Sequence, residues 1–136
     1  DQNLYQAVKG MSAAHKIVKK GGTIICASEC RDGLPDHGNY AKILKMRGTP
    51  EEILAMINDP DFEMFDQWQV QKQAVIQMWA DVYLYSTLSD DDVKAAMLKP
   101  TDDIEKTLEQ LKAKYGEEMS VAVLPLGPLT IPYVEE

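Results

Sequence analysis

Three short β-rich runs separated by stretches of helical periodicity constrain this chain more than any other feature. Parallel strands need crossovers of a dozen residues or more, usually helical, whereas a two-residue turn would bring strands back antiparallel. The runs are residues 23–27 (TIICA), 81–86 (DVYLYS) and 120–124 (SVAVL). Helical patterns fill the intervals, so the expected fold is α/β: a Rossmann-like, mostly parallel sheet flanked by helices in three αβα layers.

The helical patterns have recognisable starts and stops. Over residues 4–18, Leu4, Ala7, Val8, Met11, Ala14, Ile17 and Val18 recur with helical spacing, Asn3 or Asp1 can cap the start, and Gly21-Gly22 stops it. A short helix is expected over residues 40–46. Thr49, Pro50 and Glu52 combine an N-cap, a first-turn proline and a capping-box glutamate for a helix through Ile57. After a loop at 58–65, a helix runs from Asp66 to about Trp79, with Trp68, Val70, Ala74, Val75 and Met78 among its nonpolar positions. Ser89 caps a helix through Met97, and Thr101 with Asp102 and Asp103 caps another through Tyr115, ended by Gly116. The tail at 125–132 (PLGPLTIP) is too rich in proline to be an interior strand throughout. The opening helix has no strand before it, so at least one strand is expected to be lost with the upstream chain or supplied by it.

With 136 residues the chain suits one α/β domain over residues 1–136. It opens on Asp1 directly into a helical pattern, which predicts a longer parent protein. No apolar run approaches the roughly 20 residues that span a bilayer, and no signal-peptide pattern opens the chain, so a cytoplasmic location is expected. A formal net charge of −8 argues against nucleic acid or an anionic membrane as partner. The basic cluster Lys16, Lys19 and Lys20 falls at a helix end, where cations meet the helix dipole favourably. Cys26 and Cys30 are read as reduced thiols.

Local catalytic templates are missing: there is no P-loop, dinucleotide fingerprint, HExxH, paired CxxC or GxSxG. Residues 29–39 (ECRDGLPDHGN) emerge at the carboxyl end of the first strand, the edge where open α/β sheets gather ligands. Cys30, Asp32, Asp36 and His37 have the right chemistry for a metal but a spacing that matches no familiar framework, and solvation explains His37 and His15 more simply. Gln6 and Lys9, three apart, leave one face of the first helix near its N-terminus, where an amide, an ammonium and free backbone N–H groups suit an anion. The same pair is also what a solvated helix face carries. Trp68, ringed by polar residues in DQWQVQKQ, reads as core packing, a role the neighbouring glutamines weaken slightly.

Several separated blocks, in order, carry a family resemblance: DQNLYQAVKGMSAAHKIVKKGGTII at the start, EC-DG at 29–33, DQWQVQ at 66–71, ADVYLYS from Ala80 and LPLGPLTIP near the end. Together they resemble the carboxy-terminal part of the lactate racemase family. The pattern departs from that family at Pro35, Asp36 and Leu126. The resemblance implies the carboxy-terminal domain of a two-domain enzyme that racemises or epimerises a small 2-hydroxy acid by hydride transfer to a nickel pincer nucleotide. It also implies that the amino-terminal domain holds the cofactor and both catalytic histidines, leaving no catalytic residue and no metal ligand here. By the same resemblance Gln6, Lys9 and Trp68 reach the substrate across the cleft, and the partners are the protein's own amino-terminal domain and the substrate. Alone, the fragment is expected to be inactive. Two other readings stand beside this one: a stand-alone, non-catalytic interaction module, and a small metalloenzyme built on Cys30 and His37.

Overall fold

The computed structural model describes residues 2–35 and 37–135, so Asp1, the alternative helix cap, and Asp36, one of the candidate ligands, lie outside the described residues. In chain order the elements are α1 (Leu4–His15), β1 (Thr23–Ala27), α2 (Tyr40–Leu44), α3 (Pro50–Ile57), α4 (Gln67–Trp79), β2 (Asp81–Tyr85), α5 (Asp90–Ala95), β3 (Lys99–Thr101), α6 (Ile104–Tyr115) and a 3-10 turn, η1 (Gly127–Leu129). The three strands form one sheet in the order β1-β2-β3, parallel throughout. Thr23 pairs with Asp81 and Tyr83 with Lys99, which fixes the register.

Strand alternation assigns the layers. Ile24, Cys26, Val82 and Leu84 share one face and belong to, or pack against, the core formed with Leu4, Ala7, Val8 and Met11 of α1 and Val70, Ala74 and Ile76 of α4. Thr23, Asp81, Tyr83, Lys99 and Thr101 look the other way, and there α6 is attached by polar contacts. The Tyr115 hydroxyl lies 2.8 Å from Thr23 Oγ1 and donates to the Gly21 carbonyl at 2.9 Å, Lys114 Nζ meets Asp81 at 2.9 Å, and Thr107 Oγ1 lies 2.7 Å from Thr101 Oγ1. The fold is therefore α/β with helices on both faces of a parallel sheet, as the spacing predicts.

Several boundaries follow from local chemistry. Asn3 caps α1 by accepting the Gln6 N–H, Thr49 caps α3 through the Glu52 N–H, and Ser89 and Asp103 cap α5 and α6 in the same way. Helix α1 stops at His15 rather than running to Val18, and Gly21, at φ +77°, turns the chain into β1.

The third strand is not where the sequence pattern places it. Residues 120–124 carry no strand pairing among the described residues, and Val121 and Val123 are exposed. The strand position is taken by Lys99–Thr101, a run of three residues with a central proline and no apolar alternation. Proline is tolerated there because β3 lies at the edge of the sheet. The later run is denied that position because α6 does not return the chain to β3: its last residue, Tyr115, is bonded to Gly21 and Thr23 at the start of β1. Beyond it, η1 lies along α1, with the Pro128 ring packed 3.8 Å from where a Cβ on Gly10 would stand.

Candidate functional site

Helices α1 and α4 each lead into a strand of one parallel sheet, so their N-termini both point to the carboxyl edge of that sheet. Open α/β folds bind ligands at this edge. The three residues singled out from the sequence lie on these two helices: Gln6 and Lys9 on the first two turns of α1, and Trp68 on the first turn of α4.

The helices meet at Tyr5. Its ring is edge-on to Trp68, with centroids 5.9 Å apart, and edge-on to the buried Tyr40 at 5.4 Å. Burial and the nearby Asp66 carboxylate push the Tyr5 phenol above its usual pKa, and complete burial holds the Tyr40 hydroxyl well above its own. Both therefore stay protonated and neutral at ordinary pH. Trp68 is 46% exposed, and the Lys72 ammonium lies 5.0 Å above its ring. It forms a wall open to solvent rather than part of the core.

Asp66 organises the same corner. Buried and in the left-handed region at φ 74°, it precedes α4 without capping it. Its carboxylate accepts the Asn39 N–H at 3.0 Å, and a Cβ on Gly38 would stand 2.2 Å from the same carboxylate oxygen. The loop after β1 is thereby pinned to the start of α4.

Gln6 is half-buried and Lys9 exposed. Among the described residues neither side chain is engaged in a hydrogen bond or an ion pair. Tyr5 and Lys9, four apart, share a helix face, so the ammonium leaves α1 one turn beyond the ring that touches Trp68. The structure thus brings the two helices together through Tyr5, while Gln6, Lys9 and Trp68 make no direct hydrogen bond or ring contact with one another among the described residues. Their surroundings are open. A depression of about 280 Å³ is lined by Leu34, Pro35, Gly38, Ala41, Lys42 and Lys45. None of the three candidates lines it.

The alternative metal centre gains no geometry. Among the described residues no group of three or more His, Cys, Asp or Glu side chains could hold a metal ion. Cys30 is buried, in the left-handed region, and donates its thiol to Ser28 Oγ at 3.3 Å, while Asp32 pairs with Arg31. Burial pushes the Cys26 thiol up to about 11 and raises Cys30 as well, which favours the protonated thiol at both positions. No described helix is long and apolar enough to cross a membrane.

Three residues of this corner escape sequence reasoning. Tyr5 looks like one more position of a helical face until its contacts with Trp68 and Tyr40 are seen. Gln69 and Gln73, taken as the polar surroundings of Trp68, are buried inside α4: Gln69 Nε2 donates to the Tyr5 carbonyl at 2.8 Å, and Gln73 Nε2 to the Ala96 carbonyl at 2.8 Å while its Oε1 accepts from the Tyr40 hydroxyl. Their spacing of four, continued by Gln77, was the one available signal.

Comparison with known proteins places this geometry among relatives. Residues 1–131 match the model of the lactate racemase C-terminal domain. The chain is 36% identical over 129 residues to a lactate racemase of Lactiplantibacillus plantarum, covering 93% of this chain and 30% of that protein. It is 32% identical over 130 residues to a lactate racemase of Thermoanaerobacterium thermosaccharolyticum, again covering 93% of this chain and 30% of the relative. The solved structure of the lactate racemase apoprotein from Thermoanaerobacterium thermosaccharolyticum superposes with a TM-score of 0.76 at 30% identity, over 86% of this chain and 28% of that one. The chain thus spans about 30% of the length of the curated relatives it matches.

Proposed function

The chain belongs to the lactate racemase C-terminal domain family, and from that premise we propose that it is the substrate-binding lid of a two-domain 2-hydroxy acid racemase or epimerase. The observation that carries this reading is the placement of Lys9 and Gln6, whose side chains are unengaged among the described residues, at the ligand edge of the sheet and on the helix whose Tyr5 meets the exposed Trp68 ring. Lys9 meets the substrate carboxylate, Gln6 donates a second hydrogen bond to it, and Trp68 covers the bound molecule and displaces water. An ion pair and a neutral amide together orient a carboxylate more firmly than either alone.

On this reading the partner is the protein's own amino-terminal domain, closing over the substrate. The nickel pincer nucleotide of the proposed reaction, and the groups that move protons, belong to that domain. The residues described in this chain do not fit a nickel ion, since no three potential ligands converge. What the chain contributes is binding and orientation.

A stand-alone interaction module is the competing reading, favoured by the exposed apolar side chains Val121, Val123, Leu126, Leu129, Ile131 and Tyr133. One experiment separates the two. In the full-length, cofactor-loaded protein, racemisation of lactate and related 2-hydroxy acids should fall several-fold to roughly a thousandfold in kcat/KM for Lys9→Ala and for Gln6→Ala, the loss of about 1–4 kcal/mol of binding. Activity indifferent to both substitutions would overturn the assignment.

A further inference from the structure

Packing alone does not account for a glutamine at position 69. The side chain is 1% exposed on the inward face of α4, where a methionine or leucine would fill the space without a polar group to satisfy. Its amide is spent on one main-chain atom, the Tyr5 carbonyl, at 2.8 Å. In an α-helix that carbonyl also receives the N–H of the residue four positions on, which is Lys9. Gln69 therefore grips the peptide unit from which Lys9 is suspended and which leads into Gln6. The preceding residue, Trp68, meets the ring of the same tyrosine. Residues 68 and 69 hold Tyr5 by ring and by carbonyl, the second contact partly buried.

We propose that Gln69 is a positioning residue: its buried amide fixes the register of α1 against α4, and so sets Lys9 and Gln6 at the height of the Trp68 ring where a carboxylate can be held. The proposal rests on the reading of Lys9 and Gln6 given above. A directional bond at 2.8 Å adds a fixed point to the apolar packing between the two helices. Gln77 is the internal contrast. Two turns further along the same helix, it donates to the Ala96 and Met97 carbonyls at 3.3 and 2.7 Å, a bond of the same kind directed away from α1.

The test is a double-mutant cycle in the full-length, cofactor-loaded enzyme, with Q77M as the control. Gln69→Met keeps volume and loses the donor; it should raise KM for the 2-hydroxy acid about tenfold, with kcat changed much less. In a Lys9→Ala background the same substitution should add little, because the group it positions is gone. Q77M should lower thermal stability comparably and leave KM unchanged. Should Q69M fail to fold, Gln69→Asn, which retracts the amide by one methylene, takes its place in the cycle. A Q69M effect that multiplies fully onto an impaired K9A enzyme, or a KM rise in Q77M equal to that of Q69M, would overturn the positioning role alone. A K9A enzyme with normal KM would overturn the assignment of Lys9 itself, and this inference with it.

Discussion

Helices α1 and α6 are both 12 residues long and both are capped by a side chain accepting a first-turn N–H, from Asn3 in one and Asp103 in the other. They differ in what they bury. Helix α1 presents Leu4, Ala7, Val8, Met11 and Ala13 to the core, whereas α6 buries only Thr107 and Leu111 and is fastened at its end by the hydroxyl of Tyr115 and the ammonium of Lys114. Capping and length determine where a helix forms; apolar burial determines how firmly it is held. The helix that carries Gln6 and Lys9 is the firmly held one, as the proposed role of Lys9 requires.

The sharpest way to break this contrast is to remove matching apolar volume from each helix. Met11→Ala should cost about 2–5 kcal/mol, enough to unfold a marginal domain, because Met11 is fully buried among α1's core neighbours. Leu111→Ala should cost about 2 kcal/mol, the low end of that range, since its cavity opens toward solvent beside a thinly packed helix. Urea denaturation read by circular dichroism checks both, and equal losses would erase the distinction.

A smaller effect tests the polar fastening. Tyr115→Phe deletes the hydroxyl shared with Thr23 and Gly21 and should cost about 1 kcal/mol, with hydrogen exchange rising in α6 and not in α1. Protection lost evenly across both helices would show that α6 is not an independent unit.

The smallest effect is electrostatic. Hydrogen bonds from Lys114 and Lys99 hold the Asp81 carboxyl below its ordinary pKa. A depressed carboxylate stabilises the fold above its unfolded pKa of about 4 and loses that contribution as pH falls through the lower folded value. Asp81→Asn should therefore destabilise by no more than about 1 kcal/mol at neutral pH, the pair being partly exposed and screened, with the gap closing in acid. Thermal melts at pH 7 and below pH 4 would show it; a gap that widened in acid would contradict the assignment.

Much of this fold was legible because periodicity and capping coincide. Residues 23–27 and 81–85 are strands where the apolar runs predict them, and Thr49, Ser89 and Gly116 mark helix boundaries as their chemistry suggests. The exchange of 120–124 for Lys99–Thr101 as third strand was not legible, because pairing rather than composition makes Lys-Pro-Thr a strand. At the site, the positions of Gln6 and Lys9 on one helix follow from spacing. Tyr5 and Gln69 do not, because their importance lies in a contact between residues 64 apart in sequence. On α4, Gln69 and Gln73 are buried alongside Val70, Ala74 and Ile76 while Trp68, Val75 and Met78 face outward, which blurs the usual sense of a helical face.

Gln69, Gln73 and Gln77 all direct their amides to main-chain carbonyls, those of Tyr5, Ala96 and Met97. A carbonyl is present whatever residue occupies the position, so substitution cannot remove the acceptor side of any of these ties. The mutational burden is one-sided: positions 5, 96 and 97 are free to change as far as these bonds are concerned, while each glutamine must be kept or its tie is lost. A designer who reads α4 as a faulty amphipathic helix and repairs its inner face with leucines would gain apolar area and release the helix from two neighbours at once.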